Sequence, residues 1–303
     1  MDLEGQLSNP DNRPPNQNRH HRPRTRHLGV GPERGGRVFG VGGVGYVFDM
    51  AWERERERLA ANERYWDPFS IRILDQLGLG DGMRVLDVGA GGGSMARWFA
   101  RRVAPTGSVL AVDLDDRFIA QVDELNLEAR AMDLFADEFP RDAFDLVHAR
   151  CLLEHLPERL LGLERLIAAV RPGGWVVVCD FGGAVGGPLD PTEADIRVRD
   201  ARSEVFGEAG WDVTWAPTIA EHMRRRGLCD VAAESFRRYE TGGEVGSVRI
   251  VQFTTELLRE RLLATGRVTA ADIDRCLARL RDETVGHLSF ETWYAWGRRP
   301  QGQ

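Results

Sequence analysis

Between Val85 and Ala100 the chain reads VLDVGAGGGSMARWFA: an apolar run, four glycines in five positions, then a helix-forming segment. No other stretch restricts the fold as much. Glycine tolerates positive φ and carries no Cβ, so a loop built from it lets a bulky ligand approach the backbone closely. In an open parallel sheet the loop after the first strand lies at the carboxyl ends of the strands, where such folds bind ligands.

The surrounding texture fits that sheet. RVLDVGA is strand-like, SMARWFARRV a helix, GSVLAVDLD a second strand, DRFIAQVDEL a helix and LEARAMDL a third strand. AFDLVHAR then reads as a fourth strand, ERLLGLERLIAAV as a helix, and GGWVVVCDF as a fifth strand after the stop signal RPGG. Strands separated by single helices predict a parallel sheet covered on both faces. Ahead of it, residues 51–77 have helical periodicity, with Glu53 and Arg56, and Glu55 and Arg58, spaced to pair on a solvated face. Pro68 is expected to break that helix in two. Beyond the fifth strand, 191–210 and 217–227 read as helices, LCDVAAESFRRYE as a sixth strand, 253–282 as two short helices and HLSFETWYAWGRR as a final strand. Residues 1–45, polar and basic and then glycine-rich, cannot bury enough apolar surface to offset their ordering entropy and are expected to form a disordered tail.

Composition excludes several classes. In 303 residues with a net charge of −7, no apolar run approaches the ~18 residues that suggest a membrane span. The N-terminus lacks a signal peptide's apolar core and cleavage site, so a cytoplasmic location is expected. All 40 cationic side chains of the Lys+Arg set are arginine. Cys151, Cys179, Cys229 and Cys276 lie far apart, with no CxxC and no zinc spacing, which points to reduced thiols and no metal site. An acidic body without a clustered positive face, and without an Asn-Pro-Pro-Tyr-like tetrapeptide, argues against a nucleic-acid partner.

Two cofactor classes use a glycine loop of this kind. The dinucleotide fingerprint G-x-G-x-x-G fits only in degenerate form, because Ser94 takes its sixth position. The pattern acid-x-Gly-x-Gly-x-Gly fits throughout, at Asp87, Gly89, Gly91 and Gly93. In this the sequence resembles the class I S-adenosylmethionine-dependent methyltransferases, and the resemblance runs from Arg84 to Phe181. It implies an α/β, Rossmann-like, seven-stranded, mostly parallel sheet in the order 3-2-1-4-5-7-6, with strand 7 antiparallel, helices on both faces and helical inserts. The chain then divides into a tail (1–45) and a methyltransferase domain (46–303), with leading helices at 46–80, a cofactor core at 81–181 and substrate-side elements at 182–303. The leading helices also look like those of small-molecule methyltransferases of actinobacterial type, and a role in secondary metabolism is expected. A monomer or homodimer with neither membrane nor nucleic-acid partners is anticipated.

The resemblance assigns S-adenosyl-L-methionine as cofactor. It places Asp87, Gly89, Ala90, Gly91 and Gly93 at the methionine half, Asp113 at the ribose hydroxyls with Leu114 against the adenine, and Met132 and Asp133 at the adenine edge. Ala149 and Arg150 fall in the loop beneath the sulfonium. A small-molecule acceptor would lie beyond, with His155 as candidate base because LLEHLP follows strand four, and Tyr46, Trp52, Asp180 and Trp296 as candidate lid or pocket residues. His148, inside the fourth strand, reads as structural. Two rivals remain at this stage. An NAD(P)-dependent oxidoreductase shares the loop, although a Tyr-x-x-x-Lys site is impossible without lysine; a methyltransferase fold that binds cofactor without catalysis is the other.

Overall fold

A computed structural model describes residues 54–243 and 245–301. The expected tail at 1–45 lies outside the described residues. Helix α1 (Glu55–Gln76) leads into β1 (Arg84–Val88), α2 (Ser94–Val103), β2 (Ser108–Asp113), β3 (Leu127–Ala131), β4 (Phe144–Arg150), α3 (Arg159–Ala169) and β5 (Val170–Phe181). There follow β6 (Gly187–Pro188), α4 (Glu193–Glu208), α5 (Ile219–Arg225), β7 (Cys229–Phe236), β8 (Tyr239–Thr241), α6 (Gly246–Leu257), α7 (Arg259–Ala264), α8 (Ala270–Arg281), β9 (Gly286–Leu288) and β10 (Thr292–Arg298).

Seven strands form one sheet in the order β3-β2-β1-β4-β5-β10-β7. β1 to β5 pair in parallel, whereas β10 runs antiparallel to both β5 and β7. Counted along the chain as sheet strands, this is the expected order, with the last strand inserted antiparallel beside the fifth. Side-chain alternation along the strands splits the core in two. Leu86, Val88, Val147, Val176 and Val178 pack toward α3 and α5, while Val85, Leu146, Val177 and Tyr294 pack toward α1 and α2. A third apolar cluster joins α4, α6, α7 and α8 and contains no strand residue.

Four expectations are corrected. Pro68 does not divide α1, which runs unbroken from Glu55 to Gln76. Trp66 before it and Ser70, Ile73 and Leu74 after it are all buried on one face, and that packing outweighs the lost backbone bond. The segment DRFIAQVDEL forms only a 3₁₀ turn at Ile119–Gln121, because Ile119 and Val122 are buried but Leu125 is fully exposed and no apolar stripe continues. The region 253–282 belongs to three helices rather than two, and the third starts at a capping box in which Thr269 and Asp272 bond reciprocally. The final strand is split: β9 leaves the main sheet and joins β6 and β8 in a small antiparallel sheet, while only Thr292–Arg298 enters the main one.

Candidate functional site

The loop after β1 is pinned to the end of β2. The amides of Gly89 and Ala90 both donate to the Val112 carbonyl, at 2.9 and 3.1 Å. Gly91 adopts a φ of 55° and donates its amide to Asp113 Oδ2 at 2.8 Å. Asp113 Oδ1 accepts from the Asp115 amide at 3.1 Å. Burial pushes the Asp113 carboxyl pKa up, and these backbone donors hold it back. Gly93 is glycine for packing as well as conformation: at φ 84° a Cβ would lie 2.7 Å from Val122 Cγ2.

Helix α1 braces the loop from the other side. Arg56 Nη1 donates to the Gly92 carbonyl at 2.8 Å, and Asp67 Oδ1 accepts from Ser94 Oγ at 3.0 Å. The same Asp67 oxygen pairs with Arg150 Nη1 at 2.8 Å, joining the start of α2 to the end of β4.

Beyond the carboxyl ends of the strands opens a cavity of about 310 Å³. Its floor is made by Val88 to Gly92, Val112 to Asp115, Met132 to Phe135 and Arg150 to Leu152, from the ends of β1, β2, β3 and β4. Its far wall is aromatic. Phe181 lies 5.1 Å from Phe290 and 5.8 Å from Trp211 between ring centroids, Trp66 lies 5.5 Å from Phe290, and Phe206 lies 5.9 Å from Trp211. His155 completes the wall, its ring 6.2 Å from Phe181. Asn62 Oδ1 and Trp211 Nε1, on two lining residues, are buried with no hydrogen-bond partner among the described residues.

Among the expected cofactor residues, Gly89, Ala90, Gly91, Asp113, Leu114, Met132, Asp133 and Arg150 border this one cavity. Asp133 Oδ1 is already used in a turn, accepting from the Phe135 amide at 2.8 Å. Asp87, Gly93 and Ala149 stand behind the cavity instead. Asp87 is buried, with Oδ1 2.8 Å from His148 Nδ1 and Oδ2 without a partner among the described residues; Ala149 belongs to the strand core. His148 is thus buried within the strand, with its ring held against Asp87.

The acceptor-side expectations fare differently. Tyr46 and Trp52 lie outside the described residues. Asp180 is not a pocket residue: fully buried, it accepts from the Leu152 amide at 3.1 Å, the Glu154 amide at 3.2 Å and Trp215 Nε1 at 2.8 Å, and so staples the loop after β4. Trp296 sits in mid-strand on β10, paired with Val177 and Ala232, and does not line the cavity. The Glu55–Arg58 pair is not on a solvated face either; it is buried at the cavity, with bonds of 2.7 and 2.8 Å. His155 borders the cavity, but burial, with Arg58 and Arg159 adding to it against the pull of Asp180, pushes its pKa down to about 4. At neutral pH it is an uncharged, weak base. Arg202 and Phe206 of α4, and Ile250, Val251 and Thr254 of α6, escaped sequence reasoning as wall residues, since their helical spacing is equally that of a core.

The sequence profile of a methyltransferase domain family matches residues 52–233, more than half of the chain. The chain belongs to that family. The methyltransferase is 34% identical over 130 residues to the methyltransferase str3 of Strobilurus tenacellus, covering 43% of this chain and 46% of that protein. It is 29% identical over 126 residues to the ubiquinone/menaquinone biosynthesis C-methyltransferase UbiE of Pseudomonas putida, covering 39% and 48%. The chain thus spans about half the length of the curated relatives it matches, and their sources lend no support to an actinobacterial subtype. Among solved structures, a proposed methyltransferase of Bacillus halodurans aligns over 77% of this chain and 100% of its own, with a TM-score of 0.52 at 18% identity, a likeness of fold. S-adenosylmethionine is the cofactor of this methyltransferase fold, and the bare glycine backbone, the Asp113 carboxylate and the apolar Leu114 and Met132 suit its nucleoside. No helix among the described residues is long and apolar enough to cross a membrane.

Proposed function

We propose that this methyltransferase transfers a methyl group from S-adenosylmethionine to an oxygen, nitrogen or carbon atom of a small apolar or aromatic acceptor. The observation that carries the reading is that the Gly91 amide and the Asp113 carboxylate bound the same cavity as the aromatic wall of Trp66, Phe181, Phe206, Trp211 and Phe290. When bound, the cofactor supplies an electrophilic methyl group on a sulfonium. The chain's part is to hold and enclose. Ala90 and Gly91 present bare backbone to the methionine half; Asp113 retains lone pairs for the ribose hydroxyls beside its two backbone donors; Leu114 and Met132 flank the base.

Aromatic walls exclude water and orient the acceptor, and bringing two reactants into near-attack geometry supplies about 7–11 kcal/mol of the barrier reduction. A pKa of about 4 suits His155 poorly to taking a proton near pH 7, so in this reading it orients the acceptor as a neutral imidazole. The protein acts in the cytoplasm as a monomer or homodimer.

The test combines calorimetry with methyl-labelled cofactor. Binding of S-adenosylmethionine but not NAD, with a labelled methyl gained by a component of a small-molecule extract, is the expected result. Binding of NAD in its place overturns the reading.

A further inference from the structure

Resting on that reading, we infer that Arg202 is the counter-ion for an anionic group of the methyl acceptor, so that the substrate is a small apolar molecule bearing a carboxylate. Arg202 lies on α4 and borders both the main cavity and a second one of about 270 Å³. The two share Val185, Gly186, Val251 and Phe290 as walls, so Arg202 stands where they adjoin.

Its neighbours on the same helix are all matched. Arg197 bonds to Asp272 at 2.7 Å and to Glu193 at 3.3 Å, and Arg199 bonds to Asp200 at 2.9 Å. Arg202 has no carboxylate partner among the described residues. Its guanidinium carries five N–H donors. Its one acceptor there is Thr255 Oγ1, at a long 3.4 Å, and that hydroxyl donates onward to the Val251 carbonyl at 2.7 Å. Enclosure between α4, α6 and α8 pushes the guanidinium pKa below its usual value. A partly buried cation without a carboxylate partner is costly, and a ligand carboxylate offsets that cost.

The second cavity has the same sign. Its lining holds Arg199, Arg202 and Arg237 against a single carboxylate, Asp195, which is already engaged by Thr192 and Arg279. Among the described residues Arg237 bonds to the carbonyls of Ser289, at 3.0 Å, and Val185, at 3.5 Å, and to no carboxylate. The arrangement suits an acceptor whose apolar body lies against Phe206 and Phe290 and whose anionic end turns toward α4.

The experiment titrates the full chain, saturated with S-adenosylhomocysteine, with 6-hydroxy-2-naphthoate and with its neutral carboxamide. The carboxylate is expected to bind about 10- to 100-fold more tightly, as charged hydrogen bonds in an enclosed site do. Arg202→Met is expected to erase that preference while leaving carboxamide affinity within about twofold, and Arg202→Lys to keep part of it. Equal affinities in the wild type, no binding of either compound, or a preference that survives in Arg202→Met overturns the inference. If Arg202→Met does not fold, the wild-type pair and Arg202→Lys decide. Failure of S-adenosylhomocysteine itself to bind strikes the methyltransferase reading, whereas its binding without a carboxylate preference strikes only this inference.

Discussion

The amide of Gly91 and the carboxylate of Asp113 meet at 2.8 Å across 22 residues of sequence. One contact joins the glycine loop after β1 to the acidic end of β2, so the two parts of the proposed cofactor site hold each other in register. Asp113→Ala is expected to weaken S-adenosylhomocysteine binding about 10- to 100-fold, the loss of charged hydrogen bonds and of the loop's brace together. Isothermal titration calorimetry reads this directly; an affinity unchanged by Asp113→Ala would take the ribose contact away from this residue.

Gly91 and Gly93 separate affinity from stability. A Cβ at Gly93 collides with Val122 behind the cavity, whereas one at Gly91 makes only a 3.4 Å contact with Leu59 at its edge. Gly93→Ala is expected to lower stability by about 1–3 kcal/mol through the collision and the left-handed backbone. Gly91→Ala should cost less stability and more cofactor affinity. Urea unfolding and calorimetry on both variants check the crossover.

Asp180 serves three donors from one buried carboxylate. Asp180→Ala strands two amides and an indole N–H, and is expected to cost about 2–5 kcal/mol. Asp180→Asn keeps one acceptor oxygen and should cost less, because it also removes a carboxyl whose pKa is forced up by burial and by Glu154. Denaturation of both variants at pH 7 gives the order, and a larger loss in Asp180→Asn would contradict it.

His155 sets a pH dependence. Its pKa is about 4 in the folded chain against 6.5 for a free imidazole, so the unfolded state binds the extra proton between those values. Its contribution to stability is full above pH 6.5 and is lost as pH falls toward 4, by about 2 kcal/mol at pH 5. Glu154 and Asp180, whose folded pKa values are raised, act in the opposite sense. The comparison is therefore with His155→Asn, whose stability should fall less steeply between pH 7 and 5. Imidazole NMR shifts that titrate near 6.5 would contradict it.

Most of the sheet was legible because β1, β2, β4 and β5 are apolar runs punctuated by glycine, proline or aspartate, and because parallel strands need crossover connections between them; β3, LEARA, is mostly exposed and follows only a 3₁₀ turn. The cofactor end was legible for a local reason: Asp87 to Gly93 and Asp113 report backbone demands that few other residues meet. The acceptor wall was not. Trp66, Phe206 and Phe290 come from distant segments, and nothing in their spacing separates a cavity wall from a core. Asp180 shows the reverse error, since a polar residue at the end of a strand reads as a ligand group until its three internal donors are known. The continuation of α1 through Pro68 had the same cause, tertiary packing that outweighs a local signal.

The cluster formed by α4, α6, α7 and α8 contains no strand residue. Reshaping the mould at Phe206 therefore acts within a cluster separate from the two that carry the sheet. In the proposed reading, the part of the acceptor wall carried by α4 can be recut without touching β1 and β2, which carry the nucleoside seat.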